Sequence, residues 1–168
     1  MALGLGRAYA LVFENVTVSA QQDFFYVKPA ADKVCLIEAV YISNVGVAAD
    51  AGDAQEELLR VEGIRLPATV TVGSGGSASA TGTLNPLAVN DTAAGFTGRT
   101  NDTTPATTSG TARVLHSDGW NVRVPYVWLP PPEHRPIVAN AEAFVFKLLS
   151  TPTDGVACNG TIIVRELP

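Results

Sequence analysis

Between Gly73 and Gly110 the chain is almost entirely Thr, Ser, Ala, Gly, Asn and Pro, and few of its side chains can fill a core. On both sides lie short runs rich in β-branched and aromatic residues: Val34–Asn44 before it, and Asn121–Leu129, Phe144–Leu149 and Thr161–Leu167 after it. Strand-forming flanks around a small-residue middle predict an all-β protein. The expected architecture is a jelly-roll or Greek-key β-sandwich with one long Thr/Gly/Ser-rich loop over 73–110. A long excursion on a rigid β-scaffold suits surface contact better than chemistry.

Period-two patterning supports this reading. Trp120, Val122, Val124, Tyr126 and Trp128 alternate with Asn121, Arg123, Pro125 and Val127, which predicts one strand with its large side chains on one face. Phe144, Phe146 and Leu148 alternate in the same way, as do Ile162 and Val164. Val34–Ile42 is apolar on both sides, the mark of a central strand or of one whose second face a neighbour covers. Further strands are expected at Ala8–Phe13, Val16–Val18, Phe24–Val27 and Thr69–Val72, with a turn over Pro29–Lys33. Ala54–Arg60 has some helical character, but a strand continuing to Leu66 is favoured. Pro130, Pro131, Pro132 and Pro136 cannot donate to a ladder and mark an extended crossing or an edge.

The 168 residues suit a single domain, 1–168, long enough to bury a core without disulfides or metals. Only 16% of the residues are charged while 46% are hydrophobic, so part of the surface is expected to be covered by other subunits. The eleven Lys and Arg residues are scattered and the net charge is −5, which excludes a nucleic-acid role. Met1–Ala10 lacks the pattern of a signal peptide, and no apolar run reaches membrane-helix length. Synthesis in the cytoplasm is therefore expected. Cys35 and Cys158 read as two small, partly buried hydrophobes, with a bridge between them as the alternative.

No chemistry is concentrated anywhere along the chain. His116 with Asp118, and Glu133 with His134, offer residue types found in zinc sites, as a cupin-like metalloenzyme would use His116 and His134. Their spacing matches no closed ligand motif, and solvated polar residues are the better reading. There is no nucleophile elbow, and Gly73–Gly76 lacks the Lys-Ser/Thr of a phosphate loop. An enzyme is not expected, nor any cofactor or metal. Asn-x-Thr sequons at Asn15, Asn90, Asn101 and Asn159 read as turn-shaping hydrogen bonders. Tyr126 and Trp128 are candidates for a sugar-stacking face, with core packing as the stronger reading.

Phe24-Phe25-Tyr26-Val27-Lys28-Pro29-Ala30-Ala31-Asp32-Lys33 with the apolar strand after it resembles the front half of small tailed-bacteriophage virion proteins. Pro131-Pro132-Glu133-His134-Arg135-Pro136-Ile137-Val138, followed by Phe144–Leu149 and a closing Gly160–Glu166 strand, is similar to their back half. The layout resembles head decoration, or cement, proteins with a jelly-roll fold. That resemblance implies a homotrimer on the capsid surface of the virion, bracing the major capsid protein. On this reading Met1, Ala2, Leu3, Gly4, Leu5, Gly6 and Arg7 form an adaptable arm that contacts the capsid, and the 73–110 loop wraps a neighbour. The alternative is a trimeric receptor- or carbohydrate-binding tip of a phage tail or fibre.

Overall fold

The computed structural model describes residues 6–45, 57–79 and 84–168. Fourteen strands follow one another among them: β1 (Arg7–Val18), β2 (Gln22–Pro29), β3 (Val34–Asn44), β4 (Leu58–Leu66), β5 (Val70–Thr71), β6 (Ser77–Ser79) and β7 (Asn85–Pro86), then β8 (Phe96–Asp102), β9 (Thr107–Thr108), β10 (Arg113–Asn121), β11 (Tyr126–Trp128), β12 (Ile137–Val138), β13 (Ala143–Leu148) and β14 (Val156–Leu167). The favoured strand through Leu66 is β4; residues 54–56 lie outside the described residues. β14 shows why these segments are strands. Its residues alternate strictly between buried and half-buried, with Val156, Cys158, Ile162 and Val164 facing the core.

Two antiparallel sheets form the sandwich. In the first, the order is β11-β3-β14-β1, with β12 also pairing with β3; in the second it is β10-β4-β13-β2. Strands β1 to β4 alternate between the sheets, and β10, β11, β13 and β14 alternate again on the way back. This is jelly-roll connectivity, as expected from the spacing of short strands. The core between the sheets holds Tyr9, Phe13, Phe24, Phe25, Trp120, Phe144, Phe146 and Ile162, among others. Phe24 and Phe25 are neighbours, yet both reach this core. A bulge where Phe146 pairs with Phe25 but Lys147 pairs with Asp23 leaves Phe24 as the extra residue.

The 73–110 segment is not one long loop. It contains β6 to β9, and β8 pairs with β2 along Phe96–Asp102 while β7 adds to the outer edge of β1. Small residues are needed there for packing. A Cβ on Gly98 would sit 2.7 Å from Leu11 Cδ2, so the strand can lie against the core only without a side chain at that point. Phe96 supplies the one large ring of the segment and meets Tyr9 edge-on at 5.5 Å. The short ribbon of β5 and β9 crosses the outer face of the second sheet, where Val70 and Ala106 cover Tyr26, Ile64, Leu66, Ala143 and Val145. The excursion thus wraps its own sandwich.

The run expected as one strand over Asn121–Leu129 also differs. It breaks at Val122–Pro125, and the chain passes from β10 in one sheet to β11 in the other. The Trp120 indole donates to the Val124 carbonyl at 3.0 Å and closes this crossing. Val124, expected among the inward side chains, is exposed at the turn. The expected turn at Pro29–Lys33 is present, with Lys33 N–H donating to the Ala30 carbonyl. Asn15 and Asn101 take left-handed backbone conformations, and the Asn159 side chain accepts from Asn15 N–H at 2.7 Å, in keeping with their reading as turn-shaping residues.

Candidate interaction surface

The first sheet turns an apolar stripe to the outside. Register places Val12 beside Thr161, Thr161 beside Tyr41, and Tyr41 beside Val127, one row across β1, β14, β3 and β11. Period-two alternation forces these side chains outward, because their neighbours Leu11, Ile162, Ile42 and Tyr126 point into the core. Val12, Tyr41 and Val127 are 39%, 38% and 51% exposed. In the next row Ala10 and Ala39 are buried and Ile163 is half-buried, while Ile137 and Leu129 stand exposed at the β11–β12 edge. Beside Tyr41 and Val127 lies a depression of about 230 Å³, lined also by Pro125, Asn159 and Thr161.

Charge borders the stripe. Glu38 accepts from Arg165 Nε at 2.8 Å and from the Arg135 guanidinium, a paired cluster at the end of the sheet nearer β12. The exposed side chains of this face are thus an apolar row bordered by paired ions.

Of the expected capsid-contact arm, Met1, Ala2, Leu3, Gly4 and Leu5 lie outside the described residues. Gly6 and Arg7 do not belong to a free arm. Arg7 opens β1 opposite Glu166, and its guanidinium donates to Thr92 Oγ1. Gly6 has φ of +78°, and a Cβ there would fall 2.1 Å from the Glu166 carbonyl oxygen. Its glycine is explained by close approach to β14 and not by adaptability.

Tyr126 and Trp128 come together with His116. Tyr126 is 6% exposed and its hydroxyl lies 2.6 Å from His116 Nε2. Trp128 is half-buried, stacked on the His116 ring at 4.5 Å and 10°, and packed beside Phe144 and Phe146. Burial holds the His116 imidazole below its ordinary pKa, against the pull of Asp118 in the other direction. Tyr126 is likewise pushed up by burial, with Asp118 adding to the effect. A sugar platform needs open ring faces, and Tyr126 has none to offer. His134 and Glu133 stand exposed on the turn at Pro132–His134. Among the described residues no three His, Cys, Asp or Glu side chains converge to hold a metal, so His116 and Asp118 do not meet Glu133 and His134 in such a group.

Cys35 and Cys158 are both buried thiols. Cys35 pairs with Glu166, eight residues along β14 from Cys158, which separates them by roughly 25 Å at about 3.3 Å per residue. No bridge between them fits this fold.

One polar cluster escaped sequence reasoning. Asp23 and Asp102 face each other across β2 and β8, both 1% exposed. Asp102 takes both Nε and Nη2 of Arg99, each at 2.7 Å, and also Gly76 N–H. Asp23 accepts from Ala106 N–H at 2.7 Å and lies 3.5 Å from Lys147 Nζ, while Gln22 donates to Asn101 Oδ1. The two carboxylates pin both ends of the excursion to the sandwich. Only the Arg99–Asp102 spacing is local, so nothing in the sequence announces the rest.

The fold and this surface define a jelly-roll β-sandwich with an apolar outer sheet face. Compared with known proteins, the chain matches no family model, no curated protein and no solved structure.

Proposed function

We propose that the chain is a non-enzymatic structural protein of a tailed-phage particle, a head decoration protein that trimerises and braces neighbouring major capsid subunits. The observation that carries this reading is the Val12–Thr161–Tyr41–Val127 row, an apolar stripe on the outside of a rigid sandwich. Apolar area gains roughly 25 cal/mol per Å² when removed from water, so such a stripe favours burial against another subunit. A protein that binds only the assembled shell stabilises that shell by mass action. Trimerisation multiplies weak individual contacts into high avidity. Residues 1–5, which precede β1 in the sequence, are the segment this reading assigns to the shell.

The experiment is quantitative mass spectrometry of purified particles of the phage that carries the gene. Hundreds of copies in fixed ratio to the major capsid protein are expected. A handful of copies would move the protein to the tail or a fibre tip, and absence from particles would end the virion reading. The tip reading also requires glycan-dependent quenching of Trp128, which the burial of Tyr126 beside it disfavours. Deleting residues 1–5 is expected to weaken shell binding at unchanged oligomeric state, measured by co-sedimentation with empty shells.

A further inference from the structure

The ribbon of β5 and β9 covers only part of the outer face of the second sheet. Among the described residues the cover stops beyond Val70 and Val72, and β2, β8 and β6 leave a groove of about 430 Å³. Its lining follows from register. Tyr26 and Lys28 point outward together; Arg99 lies across from Tyr26, Thr97 across from Lys28, and Ala78 across from Arg99. Val70, Val72, Ala78 and the Tyr26 ring form the apolar walls, with Val72 49% exposed.

The charges in this groove are both positive, in a chain whose net charge is −5. Arg99 already gives two of its donors to Asp102. Lys28 is different. It is half-buried, and among the described residues no carboxylate lies within ion-pair distance of its ammonium. A lysine ammonium next to apolar walls is complemented by a carboxylate that carries its own apolar chain. The volume lies within the range of small-ligand clefts.

We infer that this groove binds a small aliphatic carboxylate, its charged end on Lys28 Nζ and its chain between Val70, Val72 and Ala78. The inference does not depend on the capsid reading, since it uses the other sheet. The test is a titration of the ¹⁵N-labelled full chain with sodium octanoate, followed by amide shifts. Saturable shifts are expected at Val72, Ala78, Thr97 and Gly98. Lys28→Ala should weaken binding at least about tenfold, the worth of one charge-assisted hydrogen bond, at an unchanged melting temperature. Val72→Asp should weaken it comparably by placing a like charge beside the ligand. Neutral 1-octanol and octylammonium should each bind at least about tenfold more weakly than octanoate. Shifts that fail to saturate, saturation at other amides, unaltered affinity in Lys28→Ala, or equal affinity for 1-octanol would each overturn the assignment.

Discussion

Asp23 shows what a single buried carboxylate does to the pH dependence of the whole chain. Burial is the largest influence and pushes its pKa above the ordinary 3.8, and Asp102 adds to this, while Ala106 N–H and Lys147 pull the other way. The folded form therefore holds the proton more tightly than the unfolded chain. Stability contributed by this group is fully present below 3.8 and declines as pH rises through the folded value. Asp23→Asn keeps an acceptor for Ala106 N–H and removes the titration. Denaturant midpoints for the two proteins, measured from pH 3 to 7, are expected to diverge in favour of the variant as pH rises; parallel curves would contradict the argument. Gly160 makes a steric case instead. A Cβ there would fall 2.3 Å from Phe13 Cε1 and 3.0 Å from Phe25 Cζ, so Gly160→Ala is expected to lose about 1–3 kcal/mol by overpacking, read as a lowered melting temperature. Cys35 is inert for a related reason: burial, with Glu166 adding, pushes its thiol up to about 12. Ellman's reagent at pH 8 is expected to leave the folded protein unmodified and to find two thiols only in denaturant.

At the scale of elements, the strands were legible where one face is wet and one dry. Ile162 and Val164 against Ile163 and Arg165 reveal β14, because alternation is the direct imprint of a half-buried strand. In β13 the large side chains Phe144, Phe146 and Leu148 alternate with Ala143, Val145 and Lys147, although Ala143 and Val145 are buried too, beneath the β5–β9 ribbon. The change of sheet at Val122–Pro125 left no such imprint. Trp120 and Tyr126 keep the same parity while entering the core from opposite sheets, so the pattern runs on through the crossing. Composition also hid β8, where Gly98 has no side chain because Leu11 stands behind it. The row of Val12, Thr161, Tyr41 and Val127 could not be seen in advance, since it exists only once four distant strands are in register. The excursion has a testable role of its own. Replacing residues 68–109 by a short turn uncovers Ile64, Leu66 and Val145, and is expected to lower the melting temperature and raise binding of an apolar dye. An unaltered melting curve would mean that the excursion, β8 and ribbon together, adds nothing to the stability of the sandwich.

For the whole molecule, the two outer faces divide the surface into unlike halves. One is partly roofed by the chain itself, and the other leaves its apolar row bare. Tyr41→Asp and Val127→Asp place charge in that row without touching the core. On the proposed reading, light scattering coupled to size exclusion is expected to show the parent as a trimer and these variants as monomers, at similar melting temperatures of the isolated chain. A parent that is already monomeric at about 100 μM would remove this face from the account of assembly.

The position of β14 has a consequence in time. It lies between β1 and β3 in the middle of the first sheet, yet it begins at Val156, long after β3 has ended at Asn44. Until it is made, β1 and β3 have no common neighbour, and each keeps an open edge beside an incomplete core. The sheet cannot be finished by growth from one side; it closes by insertion of a late strand between two early ones. Such closure ties folding to the slowest, most distant contacts, and leaves the nascent chain dependent on whatever shields its edges while it waits.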